Sequence, residues 1–150
     1  NLGYESLAGW SPDGRLVYFA IPGATGNGFM LRAVEVSTGD TRDLFILENS
    51  SAKAPFPVVS PDGQWVAYRA RDNSSVYLKA MDGASPAWLL IDNPGLATSG
   101  IAWEKAGHLL AASMITAENP GDVIVLLQLD PCEVYLLPGV SGTVEGIWIP

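Results

Sequence analysis

Cysteine and histidine are nearly absent from this 150-residue chain, since each occurs once, as Cys132 and His108. A single cysteine excludes a disulfide within the chain, and one histidine without a cysteine pair leaves no familiar set of zinc ligands. The aspartates are spread over separate segments, whereas a calcium loop needs several oxygen ligands close together in one segment. We therefore expect no metal and no cofactor, and we expect His108 to be an ordinary exposed residue.

Basic residues and long apolar runs are also scarce. Eight Lys and Arg stand against sixteen Asp and Glu, which gives a formal net charge of −8, and such a chain repels both a nucleic-acid backbone and an anionic bilayer. No apolar stretch has the length needed to span a membrane. Charged residues make up only 16% of the chain, below the usual share of about 25%. This scarcity suits stacked units that bury both faces, and we expect neither nucleic-acid binding nor membrane insertion.

What the chain does contain is a repeated turn. Ser-Pro-Asp-Gly occurs at 11–14 and again at 60–63, each time before an apolar run, and a third copy keeps only Gly107. A hairpin built from a type I turn and a bulge needs one residue at positive φ, which glycine adopts without a Cβ penalty. Gly63 follows Gly14 by 49 residues and Gly107 follows Gly63 by 44, and periods of about 40 to 50 residues are typical of propeller blades. The motif therefore sets the blade period.

The segments between these turns predict four strands in each unit. They are short, apolar and rich in Val, Leu, Ile and aromatic residues, and no convincing helix competes with them. The chain is therefore predicted to be all-β, a partial β-propeller of about three blades, each a four-stranded antiparallel sheet. The predicted strands A to D are 7–10, 15–20, 29–36 and 41–47 in unit one, 56–59, 64–70, 76–80 and 87–91 in unit two, and 101–103, 108–113, 123–128 and 134–137 in unit three.

The same pattern predicts that one propeller segment occupies the whole chain. The blades cover about 1–49, 50–98 and 99–142, and 143–150 begins a fourth. Three blades do not close a ring, and an open stack exposes strand edges and apolar blade faces. Two chains would make a six-bladed ring with twofold symmetry, but the extra strand has no place in it. We therefore expect an excerpt of a larger propeller, and we expect the isolated chain to self-associate through its uncovered blade ends.

An aromatic residue followed by Ser-Pro-Asp-Gly and an apolar strand, as in 10–17, resembles the repeat of the TolB-like (WD40-like) β-propeller family. The resemblance covers essentially the whole chain. It implies a bacterial binding scaffold that works outside the cytoplasm, as a periplasmic, secreted or lipid-anchored protein. WD-repeat proteins fit less well, because no Gly-His pair opens a unit here and no Trp-Asp pair closes one.

Two functions remain open under this resemblance. The first is a noncatalytic scaffold that binds a protein or small ligand through its B–C and D–A loops. The second is the substrate-gating propeller of a prolyl-oligopeptidase-type serine peptidase whose hydrolase domain lies outside this segment. The chain itself is not expected to be an enzyme. The segment 139–142 resembles a nucleophile elbow only loosely, since position 143 is Thr where that motif requires Gly.

The two ends of such blades differ in kind. The A–B and C–D turns emerge at one end, which we call the turn end, and the variable B–C and D–A loops emerge at the other, the loop end. Binding is expected at the loop end, because rigid scaffolds commonly carry their sites on loops. The candidate loop contacts are the charged residues Arg71, Asp72, Lys53 and Glu118.

Two further sets of residues have structural interpretations. Aspartates at the turn end are expected to form turns through local backbone hydrogen bonds and not to bind a cation. These aspartates are Asp13, Asp40, Asp62, Asp82 and Asp130. Aromatic residues on the strands are predicted to pack in the core and not to stack on a ligand. They are Trp65, Tyr68, Trp88 and Tyr135.

Overall fold

The computed structural model describes residues 5–24, 28–50, 56–72, 74–92, 98–115, 122–130 and 132–141. All regular elements in these ranges are β-strands, and the same ranges hold no helix of the length and hydropathy that crossing a membrane requires. The strands are β1 (Ser6–Trp10), β2 (Leu16–Pro22), β3 (Phe29–Glu35), β4 (Thr41–Leu47), β5 (Val58–Val59), β6 (Trp65–Arg69), β7 (Val76–Ala80), β8 (Trp88–Ile91), β9 (Thr98–Trp103), β10 (Leu109–Ile115), β11 (Asp122–Leu129) and β12 (Cys132–Ser141).

The described strands form three four-stranded antiparallel sheets. Their orders are β1-β2-β3-β4, β5-β6-β7-β8 and β9-β10-β11-β12, so each sheet is a simple meander. The inner strand β5 contacts both β1 and β9, which sets the sheets side by side as successive blades. The predicted all-β architecture of four-stranded antiparallel blades is confirmed. The predicted first strand of a fourth blade, at 143–150, lies outside the described residues.

Several strands differ from the sequence prediction, and β9 begins three residues earlier than expected. β5 begins two residues later than expected, because Phe56 has a φ of +43° and Pro57 has no backbone N–H to give to a ladder. β12 is longer than expected, because the β11–β12 register contains an irregularity. The partner of Val125 is Leu136, whereas the partner of Val123 is Ser141. A bulge of this kind lets one strand continue past residues that its neighbour does not match.

The repeat turns have the conformation that the motif predicts. Gly14, Gly63 and Gly107 have φ values of +69°, +72° and +83°. In the first turn the Gly14 N–H donates to the Ser11 carbonyl at 2.9 Å, and the Ser11 N–H donates to the Leu16 carbonyl at 2.9 Å. The same two bonds recur in the second and third turns. Each turn thereby fixes the register between the first two strands of its blade.

Two hydrophobic clusters join the three sheets. The first lies between the first and second blades and includes Tyr18, Leu31, Val66 and Tyr68. The second lies between the second and third blades and includes Val76, Leu78, Trp103 and Leu110. Because each cluster draws side chains from two sheets, packing between blades holds the described chain together.

Neighbouring blades also touch through their repeat turns. A Cβ placed on Gly63 would stand 2.9 Å from Cδ of Pro12 in the first turn, and a Cβ on Gly107 would stand 3.0 Å from Cγ of Asp62 in the second. In the described part of the chain, no heavy atom other than those of Gly14 and its two chain neighbours lies within 4 Å of a Cβ placed on Gly14. The second and third glycines therefore serve two purposes, positive φ and close approach of the preceding turn, and only the first purpose is visible in the sequence.

The prediction that the strand aromatics pack in the core is correct for some of them and wrong for others. Tyr68 is fully buried and Trp65 is half-buried, as expected. Trp88 and Tyr135 are 53% and 44% exposed. Both belong to the fourth, outermost strand of a blade, where the sheet ends and packing between blades is incomplete. The apolar character of these strands therefore misleads a prediction based on composition alone.

Candidate functional site

The loop end carries two of the four residues predicted to make contacts. Arg71 and Asp72 follow β6 and are exposed. Lys53 and Glu118 lie outside the described residues. The Arg71 N–H donates to the Asn49 carbonyl at 2.7 Å, which ties the B–C loop of the second blade to the connection between the first and second blades. The structure thus gives Arg71 a fixed backbone and an exposed side chain.

Asp72 has a structural task in this loop. Its Oδ1 accepts hydrogen bonds from the Ser74 N–H at 3.0 Å and the Ser75 N–H at 3.2 Å, and its Oδ2 accepts one from the Ser75 hydroxyl at 3.3 Å. Burial alone would raise the pKa of the Asp72 carboxyl, but these hydrogen bonds outweigh it and hold the pKa below its usual range. The carboxylate therefore shapes the loop, and any role in ligand contact is secondary to that.

A buried lysine of the second blade pairs with the glutamate that follows the last strand of the first blade. The Lys79 ammonium is 3.0 Å from Oε1 of Glu48, donates to the Ser85 carbonyl at 2.8 Å, and lies over the Phe45 ring. The Lys79 side chain is only 3% exposed. The Tyr68 hydroxyl donates to the Glu48 carbonyl at 2.9 Å. Glu48, which follows β4, is therefore bound through both its carboxylate and its backbone carbonyl to side chains of the second blade.

A cavity opens at the loop end beside the start of the inner strands. Its volume is about 210 Å³, and it is lined by Ser6, Leu7, Phe56, Pro57, Val58, Arg69, Gly100 and Ile101. A groove of about 640 Å³ shares Leu7, Val58 and Ile101 with it and continues along the inner strands. The groove reaches Trp10 and Pro12 at the first repeat turn.

Arg69 and Phe56 form the polar and aromatic part of this cavity. The Arg69 guanidinium lies over the Phe56 ring, 4.2 Å from its centre, and its Nη1 donates to the Thr98 carbonyl at 2.6 Å. Burial lowers the pKa of Arg69, although an arginine stays charged at neutral pH. Phe56 is 52% exposed and holds a positive φ that side-chain-bearing residues rarely adopt. Backbone strain of this kind is often found at binding sites.

Sequence analysis missed Arg69 and Phe56 as site residues. The signal for Arg69 was its place in β6, where Trp65, Ala67 and Arg69 alternate on one side of the strand. A charged residue at the end of an otherwise apolar row is expected to have a partner that compensates its partial burial. That partner is supplied by Phe56 and Thr98, which are distant in sequence, so the pairing was not readable from the pattern.

The acidic residues of the repeat turns bind the backbone of their own turns. Asp13 accepts hydrogen bonds from the Ser11 hydroxyl at 2.6 Å and the Arg15 N–H at 3.1 Å, and these lower the pKa of its carboxyl. Asp62 makes the equivalent bonds in the second turn. The described residues contain no group of three or more metal-ligating side chains. The interpretation of Asp13 and Asp62 as turn formers is confirmed.

The third turn achieves the same result with a different residue. Glu104 stands where the first two turns have serine, and its carboxylate accepts hydrogen bonds from the Ala106 N–H at 2.7 Å and the His108 N–H at 2.8 Å. Burial opposes ionisation, but these bonds dominate and lower the pKa of Glu104. His108 is exposed, as predicted.

Comparison with solved structures identifies the same architecture elsewhere. A TolB-type structure from Agrobacterium tumefaciens matches with a TM-score of 0.65 and 18% identity, over 88% of this chain and 48% of that one. TolB from Acinetobacter baumannii matches with a TM-score of 0.65 and 15% identity, over 93% and 33%. A prolyl endopeptidase matches with a TM-score of 0.62 and 18% identity, over 93% and 22%. Neither a protein-family model nor a curated protein sequence matches the chain.

The fold is therefore that of a partial β-propeller. More specifically, it is similar to the propellers of the two TolB structures, as the repeat motif predicts. At these identities the likeness concerns the fold alone. The chain spans a third to a half of the two TolB structures and about a fifth of the peptidase, so activity and partners do not follow from the match.

Proposed function

We propose that the chain is a noncatalytic propeller scaffold that binds a protein or small ligand at its loop end. The observation that carries this proposal is the cavity at the loop end, where Arg69 and the exposed, strained Phe56 stand at the mouth of a groove along the inner strands. Clefts that combine apolar walls with a few fixed polar groups are the usual form of ligand sites. The turn end also has cavities, of about 420 and 550 Å³, but Asp13 and Asp82 in their linings already accept hydrogen bonds within their own turns.

The chemistry of this cavity favours a ligand that carries a carboxylate beside an apolar group. A guanidinium held against an aromatic ring presents its charge in a fixed plane, which suits recognition of a carboxylate. The neighbouring walls, such as Leu7, Val58 and Ile101, are apolar. In a chain of net charge −8, the Arg69 guanidinium is a local positive charge that attracts an acidic segment.

A displayed library of linear peptides tests the proposal. Peptides selected on the purified chain are measured by calorimetry against Arg69→Met and Arg71→Met at the loop end and Arg15→Met at the turn end. Arg15 is a matched control, since its side chain is 71% exposed and close to Glu35. We expect Arg69→Met to weaken binding by at least about tenfold and Arg15→Met to leave it unchanged. Peptides that bind with equal affinity to all variants would refute a loop-end site.

A second function is the gating propeller of a prolyl-oligopeptidase-type serine peptidase. The match to a prolyl endopeptidase over 93% of this chain favours this second function, although the match itself supports the fold alone. Both functions make the chain itself noncatalytic, and turnover of ester or peptide substrates by the purified chain would contradict both. An α/β-hydrolase region with a nucleophile elbow in the same polypeptide would select the peptidase.

The proposed location is outside the cytoplasm, by likeness to TolB-type propellers. The test is an alkaline phosphatase fused to the native coding sequence in a bacterial host. Activity of the reporter, which needs an oxidising compartment to form its disulfides, supports export. An inactive reporter that is present at normal levels would place the protein in the cytoplasm.

A further inference from the structure

A cleft lies between the first and second blades at the turn end. Its volume is about 550 Å³, which is within the range of small-molecule sites. We call it the interblade cleft, and its lining includes Tyr18, Arg42 and Leu44 of the first blade and Gln64, Met81 and Asp82 of the second. It shares no residue with the loop-end cavity. Both of its walls belong to neighbouring blades of this chain, so the packing between these two blades fixes them.

Two glycine contacts set the distance between the walls of the interblade cleft. Near the inner strands, Gly63 stands against the ring of Pro12. Near the outer strands, a Cβ placed on Gly83 would stand 2.8 Å from Cδ1 of Phe45 on β4. Because the turns of the second blade already touch the first blade at both edges, the blades cannot move closer together there. The cleft is therefore present before any ligand binds.

The repeat shows what the equivalent place between the second and third blades contains. In each blade, the strand register places one residue from each of the three outer strands in a row that faces the following blade. The first-blade row is Tyr18, Ala33 and Arg42, and the equivalent second-blade row is Ala67, Leu78 and Trp88. The second-blade row is apolar throughout, and the ring centre of Trp88 is 5.4 Å from that of Trp65. The first blade instead has a small residue between two hydrogen-bond donors.

These two donors have no partner within the described residues. Neither the Tyr18 hydroxyl nor the Arg42 guanidinium makes a hydrogen bond or an ion pair there. Burial raises the pKa of Tyr18 and outweighs the opposing effect of the Arg42 charge, so the hydroxyl keeps its proton at neutral pH. Asp82, the acidic residue in the lining, already accepts a hydrogen bond from the Ala84 N–H at 2.9 Å. A nearly buried hydroxyl beside an unpaired cation therefore lacks an acceptor, which an anion supplies.

We propose that the interblade cleft binds a small monocarboxylate that carries an apolar body. The Arg42 guanidinium and the Tyr18 hydroxyl donate to its carboxylate, since a guanidinium matches the planar geometry of two carboxylate oxygens. Leu44 and Met81 contact its apolar body. A dianion such as phosphate fits less well, because Arg42 supplies one positive charge and Asp82 adds a negative charge to the lining. This site is independent of the loop-end site, and its donors lie on strands and not in the repeat turns.

Titration of 3-phenylpropionate into the purified chain, followed by NMR, tests this assignment. A ligand of this size is expected to bind with a dissociation constant of about 1 mM. The neutral 3-phenylpropanamide and the cationic 3-phenylpropylamine have the same apolar body and differ in charge. We expect the carboxylate to bind at least about tenfold more tightly than either of them, because both lack the charged acceptor for Arg42.

Matched variants separate the interblade cleft from other arginines. We expect Arg42→Met to weaken binding of 3-phenylpropionate by at least about tenfold and Tyr18→Phe to weaken it by about threefold to tenfold. Arg15→Met removes an arginine at the same end that already has Glu35 at 3.6 Å, and Arg69→Met alters the loop-end cavity. Neither of these two controls should change the affinity.

A further variant tests the comparison between the two rows. Arg42→Trp gives the first blade the residue that stands at the equivalent place in the second blade. Since Arg42 is exposed, the substitution leaves the core intact, and circular dichroism checks that the chain is folded. We expect Arg42→Trp to abolish the preference for the carboxylate over the amide.

Three results would overturn the proposal. Binding that shows no saturation up to about 10 mM 3-phenylpropionate, about tenfold above the expected dissociation constant, would mean that the cleft is not such a site. Equal affinity for the amide would show that the apolar body binds without help from Arg42. Binding that is lost in Arg69→Met but kept in Arg42→Met would place the probe in the loop-end cavity.

Discussion

The repeat glycines provide a matched pair of substitutions, Gly14→Ala and Gly63→Ala. Both glycines stand at nearly the same positive φ, +69° and +72°. Alanine therefore pays the same conformational penalty at each, about 1 to 2 kcal/mol. Around Gly14 no described heavy atom other than its own and those of its two chain neighbours lies within 4 Å of the added Cβ, so this penalty is the whole expected effect.

At Gly63 the added methyl group also meets a neighbour. The Cβ would stand 2.9 Å from Cδ and 3.0 Å from Cγ of Pro12, whereas ordinary contacts begin near 3.4 Å. A proline ring cannot rotate away, so the first repeat turn must shift by about half an ångström. Overpacking of this kind costs about 1 to 3 kcal/mol. We expect Gly63→Ala to lower the free energy of unfolding by that amount more than Gly14→Ala does.

Urea denaturation followed by tryptophan fluorescence measures both variants, and a double-mutant cycle isolates the contact. In a Pro12→Ala background the excess cost of Gly63→Ala should disappear, while the cost of Gly14→Ala should remain. Equal costs for the two glycines in the wild-type background would refute the reasoning. An excess that survives Pro12→Ala would show that some other contact causes it.

Three more predictions concern the blade contacts. Glu48→Ala should lower the free energy of unfolding by about 1 to 3 kcal/mol, because it leaves the buried Lys79 ammonium without its partner. Lys79→Met should lower it by less, because it leaves no buried charge unpaired. Urea denaturation that shows the larger loss for Lys79→Met would contradict this. Tyr68→Phe should cost about 1 kcal/mol by removing the bond to the Glu48 carbonyl, and no loss in thermal unfolding would refute it. The pKa of Asp72 is lower in the folded chain than in the unfolded chain. Its charge therefore stabilises the fold at pH values above the unfolded pKa, and this contribution is lost as the pH falls through the folded pKa. The unfolding free energies of wild type and Asp72→Asn should therefore converge below about pH 4, and a constant gap down to acid unfolding would contradict this.

The fold was predictable because its determinants are local and periodic. A glycine at positive φ is required wherever the tight repeat hairpin occurs, so Gly14, Gly63 and Gly107 reveal both the turn and the period. The apolar stretches between them alternate with good turn residues, which places most strand ends within a residue or two of the structure. The exceptions are the start of β9, three residues earlier than predicted, and the end of β12, four residues later. At β5, Phe56 and Pro57 delay the strand by two residues although the composition indicates a strand there.

The candidate site was less predictable because its contacts join distant segments. Arg69 meets Phe56 and the Thr98 carbonyl, and Lys79 meets Glu48. None of these pairs shares a blade position that the repeat would align. Charge and position in a loop predicted Asp72 as a contact residue instead, but its carboxylate accepts hydrogen bonds from the backbone of its own loop.

Glu104 shows why the turn end is the poorer place to seek function. The third repeat has lost serine, proline and aspartate, yet its single carboxylate caps the backbone N–H groups of Ala106 and His108. Different residues are thus used to satisfy the same backbone groups, while the glycine stays. The carboxylates of Asp13, Asp62 and Glu104 are therefore engaged in their own turns. At the loop end a charged guanidinium and an exposed aromatic ring instead line a cavity, so the residues with recognition chemistry lie where the repeat does not dictate them.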